Sequence, residues 1–429
     1  MSRDRSPTQP WLNRAGVAPP RTRRAVVIGA GLAGAAAAAS LARRGFEVTV
    51  LERAAEAAAG ASGNVAGMAY PHAALPQNPA AQLSHQAIGY LWGEVARLER
   101  GGATIDHDRC GVLVIPVRDG EATRLPRLEA ENILGARWLP QNEAQDRAAV
   151  DLTGPGLFLP DGGWISPRQL CAAWLADGAP RGAITLLTHH HVLTLRSSTE
   201  GWIVEGSVGG GDSKELAAAE TLVIANAADA RGFAPLSWLG VIPVRGQVDV
   251  VEPSSATAAL RCVVTGAAYI APAAAAGGRH VMGATFDRES LDLAPRLSDS
   301  AEIRAGVARL MPSAAALGAA VASRAAVRAT SLDALPLVGW VPEATLYRSV
   351  FADLHRGLKP EDFPPAPAMP GLYVLTGLGS RGIVNAGLCA EILAAQICAE
   401  PPPVDEALQR CLLPARFLVR ALRSARNFR

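Results

Sequence analysis

The sequence predicts an α/β fold in which a parallel, doubly wound sheet is interleaved with a mixed β-sheet unit, and three observations predict it. A glycine-rich strand-turn-helix-strand occupies residues 25–52, a second strand, glycine loop and helix occupy residues 372–398, and short strands fill the stretch between them. The length fits two or three units at about 150 residues each. Hydrophobic residues make up 49% of the 429 and charged residues 19%, which excludes a disordered chain or a coiled coil and suits a globular enzyme.

Residues 25–42 run 18 positions without a charge, near the lower limit for crossing a bilayer. Glycines break the run. A strand at 25–28 leads into Gly29-Ala30-Gly31-Leu32-Ala33-Gly34, then an Ala-rich helix ending at Arg43-Arg44-Gly45, then a strand at 46–51 ending in Glu52. An amphipathic helix is expected near 86–100 on Leu91, Val95 and Leu98. Strands follow at 111–117, 156–159, 185–195 and 201–208, and the turn Gly209-Gly210-Gly211-Asp212 precedes a buried strand at 221–225. The 241–285 stretch is strand-rich with turns at Glu252-Pro253 and Gly277-Gly278, and 300–310 reads as a helix. The last third returns to α/β pattern: a strand at 372–376, a glycine loop, and a helix over 383–398 closed by Pro401-Pro402-Pro403.

The formal net charge of +2 hides a bias in type and placement. Only Lys214 and Lys359 are lysines among 41 basic residues, so nearly every cation is a planar, permanently charged fork. Arginines crowd the first 24 residues beside the lone acid Asp4, and they recur from Arg410 to Arg429 with no acid. Arg416, Arg420 and Arg423, spaced four then three, would form a basic stripe on a helix suited to phosphates. Six cysteines without a CxxC pair, and a start with no apolar leader segment, set the expectation of reduced thiols in the cytoplasm, with no membrane partner.

Strand, G-x-G-x-x-G, helix, strand and terminal acid form the dinucleotide-binding fingerprint: Gly29 for the tight turn, Gly31 so that backbone approaches a pyrophosphate, Gly34 for helix-to-strand packing. The anion sits on the helix N-terminus, and Glu52 would bond the ribose hydroxyls and disfavour a 2'-phosphate. A second set of amides at Gly377-Leu378-Gly379-Ser380-Arg381-Gly382 opens another helix. It suits the flavin edge where charge accumulates on reduction, which selects FAD over NAD. His189-His190-His191 reads as solvated strand, because consecutive strand residues point to alternate faces and cannot converge on one metal.

These motifs, with Gly60-Ala61-Ser62-Gly63-Asn64, Pro243-Val244-Arg245-Gly246-Gln247 and Leu335-Pro336-Leu337-Val338-Gly339, occur in family order. Over residues 24–422 the chain resembles the FAD-dependent oxidoreductase module that forms the C-terminal half of the bifunctional tRNA 5-methylaminomethyl-2-thiouridine biosynthesis proteins, and more distantly glycine oxidase and the D-amino-acid oxidases. The resemblance implies a glutathione-reductase-like FAD-binding Rossmann fold interleaved with a mixed β-sheet substrate domain. In that scheme 1–23 is a basic flexible leader, 24–85, 160–232 and 326–412 bind FAD, 86–159 and 233–325 form the substrate domain, and 413–429 is a basic tail.

The reaction it implies removes the carboxymethyl group from 5-carboxymethylaminomethyl-(2-thio)uridine at the tRNA wobble position, leaving 5-aminomethyl-(2-thio)uridine and glyoxylate. Arg328, aligned with the carboxylate-binding Arg of glycine oxidase relatives, is the expected anchor, with Tyr269 lining the same pocket. Arg245 either faces the flavin or carboxylate or holds the domains together. Ser62, Gly63 and Asn64 would lie against the flavin, and Arg381 would support its reduced form. Two departures stand out: no methyltransferase domain fits in 24 residues, so a separate methyltransferase would act afterwards, and Ala225-Asn226-Ala227-Ala228-Asp229 replaces a small Ala-x-Gly turn. The rival readings are an oxidase of free glycine or sarcosine, which leaves the C-terminal arginines without a role, and a non-catalytic flavin-bound RNA-binding protein.

Overall fold

Runs of apolar residues without polar alternation, such as RAVVI at Arg24–Ile28 and TLVI at Thr221–Ile224, must be covered on both faces. The structure, a computed structural model that describes residues 9–14, 18–177 and 183–424, shows how. Six strands lie in the order Leu337–Pro342, Ala368–Thr376, Thr221–Ile224, Arg24–Ile28, Glu47–Leu51, Ile184–Leu187, all parallel except the first pair. Alternate side chains of one strand go opposite ways. Ala25 and Val27 face the helices Leu32–Ala42 and Gly382–Cys398, while Val26 and Ile28 share a core with Val192, Trp202 and Val204 of a three-stranded antiparallel sheet. The Gly379–Cys398 stretch is apolar and long enough to cross a membrane, but most of it is buried in the first of these cores.

The second unit is an eight-stranded mixed sheet built around the long ladder of Val241–Val251 with Ala320–Ser331. One face packs Leu113, Val264, Ile270 and Met282 against Ile303 and Val307 of the helix Leu297–Ala308. The other face borders a cavity shared with the parallel sheet.

Several sequence expectations are corrected. The helix expected near 86 begins at Pro79, where the Asn78 side chain caps Ala80 N at 2.8 Å, and it packs Ala87, Leu91 and Val95 into the core of the parallel sheet. The boundary expected at 86 falls inside this helix, and the one expected at 326 falls inside the strand Ala320–Ser331. The strand expected at 185–195 is two strands, Ile184–Leu187 and His190–Ser198, in different sheets, with His189 at φ 58° between them. His190 and His191 border the cavity, and His191 is exposed there, as the solvated reading expects.

Both chain ends depart from the expected flexible leader and free tail. Trp11 is buried, T-shaped against Phe363, and its carbonyl accepts from the Tyr347 hydroxyl. At the other end Arg416–Arg423 is a helix that buries Leu418, Val419 and Leu422. Arg416 is itself buried. It donates to both oxygens of Asp333 and to the carbonyls of Leu412, Leu413 and Leu335, while Arg420 pairs with Asp333 at 2.6 Å and Arg423 stacks on Trp11. Of the expected phosphate-facing stripe, Arg416 is taken up inside the fold, while Arg420 and Arg423 stay exposed. Arg3, Arg5, Arg426 and Arg429 lie outside the described residues.

Candidate active site

Where the two sheets face each other lies a cavity of about 1570 Å³, larger than the roughly 300–1,000 Å³ of an ordinary small-ligand pocket. Gly29 takes φ +100°, and a Cβ there would lie 2.8 Å from the Ala225 carbonyl oxygen, so only glycine makes this turn. Glu52 accepts from Ala30 N and Ala54 N at 2.9 Å each, tying the end of the second strand to the glycine turn while its carboxylate lines the cavity. Ser62 Oγ accepts from Leu32 N at 3.0 Å and so caps the first helix across a 30-residue gap. Gly34 stands behind the cavity, where any side chain would strike the Gly29 carbonyl.

The second glycine loop leaves the same edge of the parallel sheet, two strands along from the first. Gly377 and Gly379 take φ +70° and +56°, and Gly377, Gly379, Ser380, Arg381 and Gly382 all line the cavity at the mouth of the helix Gly382–Cys398. The Arg381 guanidinium stacks on Tyr70 and donates to His72 Nδ1 at 2.8 Å. A guanidinium only donates, so Nδ1 must accept. Burial, then the charges of Arg381 and Arg124, hold His72 down to about 4, which keeps it the neutral acceptor this contact requires.

Arg328 and Tyr269 meet on the opposite wall. The Arg328 guanidinium donates to the Thr285 carbonyl at 3.1 Å and lies over the Phe286 ring, 4.7 Å from its centroid. Among the described residues no carboxylate pairs with it, and burial lowers its pKa. Burial also pushes the Tyr269 hydroxyl up to about 12, against the pull of Arg328, so it stays a neutral donor at pH 7. A half-buried cation with free donor geometry is matched by a carboxylate arriving from outside.

Arg245 does not join them. In the Val241–Val251 strand Val244 stands opposite Arg328 and Val248 lines the cavity, so Arg245 and Gln247 point to the other face. Arg245, 0% exposed, pairs with Asp299 and donates to the carbonyls of Asp292 and Ala294, and Gln247 bonds Ser300 on the same side. What that motif gives the cavity is Pro243 on its wall, and Gly246 makes room for Arg328, since any Cβ there would overlap the guanidinium. Gly63 likewise sits outside the cavity wall, against Ala58 O and Arg324, whereas Ser62 and Asn64 line it.

Arg324 was missed. It donates to the carbonyls of Ala59 and Gly60 at 2.6 Å each and to Asn64 Oδ1 at 3.2 Å, so it pins the 59–64 loop to the second sheet. Its spacing of four from Arg328 on one strand was the available signal, since such residues share a face.

FAD fits this cavity. Two glycine-bounded helix N-termini border it at the same edge of the parallel sheet, and Asn226 Oδ1 is buried beside the Gly29 turn with no hydrogen-bond partner among the described residues. Residues 24–396 match the family described as FAD dependent oxidoreductase. The tRNA 5-methylaminomethyl-2-thiouridine biosynthesis bifunctional protein MnmC of Pseudomonas putida is 38% identical over 424 residues, 97% of this chain and 62% of that protein. Its namesake from Pseudomonas syringae pv. tomato is 36% identical over 410 residues, 93% and 60%. The chain thus spans less than two thirds of the length of these curated relatives. Among solved structures, glycine oxidase from Geobacillus kaustophilus superposes with a TM-score of 0.73 at 25% identity, covering 90% of this chain and 98% of that one. L-proline dehydrogenase from P. horikoshii shares the fold at a TM-score of 0.72 and 17% identity, covering 93% and 98%. A match that runs from the first strand of the parallel sheet through its last helix means that the chain belongs to the FAD-dependent oxidoreductase family, with FAD as its cofactor.

Proposed function

We propose that this chain removes the carboxymethyl group from 5-carboxymethylaminomethyl-(2-thio)uridine at the tRNA wobble position, giving 5-aminomethyl-(2-thio)uridine and glyoxylate. The observation that carries the reading is Arg328, a half-buried guanidinium without an acid partner among the described residues, on the wall of the cavity that also holds both glycine loops. The substrate arm is an N-substituted glycine, and its carboxylate is the planar acceptor that Arg328 lacks. When bound, FAD supplies the two-electron oxidation that turns the arm's N–CH₂ bond into C=N, which water opens to the amine and glyoxylate. Arg328 fixes the carboxylate, Tyr269 offers a neutral hydroxyl beside it, and Gly246 leaves room for the guanidinium. The names of the curated relatives support tRNA as the substrate.

The test is an anaerobic stopped-flow scan of the holoenzyme, following loss of flavin absorbance at about 450 nm. tRNA bearing the modified uridine should bleach the flavin and release glyoxylate. Faster bleaching by free glycine or sarcosine would make this a small-molecule oxidase. Bleaching by none of them would make it a non-catalytic flavoprotein.

A further inference from the structure

The rim of the cavity is more elaborate than the oxidation requires. After the His280–Gly283 strand the chain presents Phe286, Leu291 and Leu293, which are 65%, 56% and 57% exposed yet line the cavity. Large apolar side chains held in solvent mark a contact surface when the backbone beneath them is fixed. Here it is fixed. Arg245 N and O pair with Asp287 O and N at 2.8 and 2.9 Å, and the buried Arg245 guanidinium holds the carbonyls of Asp292 and Ala294. Gln247 bonds both the N and the O of Arg296, and Arg296 pairs with Asp287 at 3.0 Å.

Phe286 therefore stands as a rigid ring with one face on the Arg328 guanidinium and much of its surface open at the mouth. We propose that Phe286 is the stacking platform for the uracil ring of a flipped-out wobble nucleotide, with Leu291 and Leu293 walling its edge and Arg245 as the positioning residue that holds the platform in place. This rests on the function proposed above. A flat base presents a π-face to an aromatic ring, and enzymes acting on a single nucleotide take it out of the stack into such a site. The charges agree. Arg118, exposed at the same cavity and in no ion pair among the described residues, offers its guanidinium to the nucleotide's phosphate, while Arg328 beside the ring takes the carboxylate at the end of the arm. Free glycine and sarcosine have no ring to use such a platform.

The experiment compares holoenzyme carrying Phe286→Ala, Phe286→Leu and Phe286→Trp. The apparent Kd for tRNA bearing 5-carboxymethylaminomethyluridine comes from the concentration dependence of anaerobic flavin bleaching, and anisotropy of the same labelled tRNA gives a second, non-catalytic readout. Phe286→Ala and Phe286→Leu should weaken binding about ten- to a hundredfold, with the flavin spectrum unchanged, and Phe286→Trp should stay within about twofold of wild type. If Phe286→Leu binds like wild type, apolar bulk alone suffices and the stacking role is overturned. If Phe286→Ala instead splits a dimer into monomers on gel filtration, the rim is an interface between copies and the proposal is again overturned. A wild-type flavin that this tRNA never bleaches fails the proposed reaction itself, a result distinct from reduction that ignores Phe286.

Discussion

Arg328 is a residue whose position makes sense only with a ligand in view. Its guanidinium is half-buried, makes one carbonyl hydrogen bond and one ring contact, and has no counter-charge among the described residues. Burying an uncompensated charge opposes folding, so the side chain is held there at a stability cost. Arg328→Met should accordingly leave the melting temperature of the holoenzyme unchanged or higher. The same change should slow flavin reduction by the modified tRNA by about 30- to several thousandfold, the range for removing one partner of a buried charge pair. Arg328→Lys should recover only part of the rate, since an ammonium cannot make two parallel bonds. Thermal unfolding and stopped-flow reduction of the same preparations check both halves. A clear drop in melting temperature would show that the Thr285 and Phe286 contacts make Arg328 a structural residue.

At the scale of elements, the question is which faces the sequence could assign. The two glycine loops were legible because their chemistry is local: a turn at φ +100° admits only glycine, and the helix that follows supplies the amides. Arg245 was not legible, because its face depends on the register that sets Val244 opposite Arg328, and a shift of one residue would reverse it. The C-terminal helix failed for a related reason. Its apparent basic stripe is answered by Asp333, 83 residues before Arg416 in sequence. Burial pushes the Asp333 carboxyl up, and Arg416 and Arg420 more than reverse this, to about 2. A carboxylate depressed in the folded state adds stability above its unfolded value near 4, and that stability is lost as the pH falls toward 2. Arg416→Ala, at a site only 5% exposed, should lower unfolding stability by about 3–5 kcal/mol, read from the urea midpoint, and leave the salt dependence of tRNA binding unaltered. A flattened salt slope with an unchanged midpoint would return the helix to the nucleic-acid surface.

Across the whole molecule, the cavity belongs to the junction of the two sheets, while stretches far apart in sequence close the fold elsewhere. Residues 9–14, 344–366 and 416–423 meet, and none of them lines the cavity. Ala366 N reaches the carbonyls of both Pro10 and Asn13, Arg14 bonds and stacks on Tyr373, and Trp11 is enclosed by Phe363 and Arg423. The ring is 5% exposed, so its contacts are those of a core residue although it stands near the start of the chain. Trp11→Ala should lower unfolding stability by about 3–5 kcal/mol, the usual effect of emptying a buried aromatic site. Because this cluster and the cavity share no residues, the flavin spectrum and the rate of anaerobic reduction should match wild type. Urea unfolding beside stopped-flow reduction separates the possibilities. Stability that does not change would mean the segment merely rests on the surface, whereas slower reduction would mean that packing at the chain ends reaches the glycine loops through the parallel sheet they share.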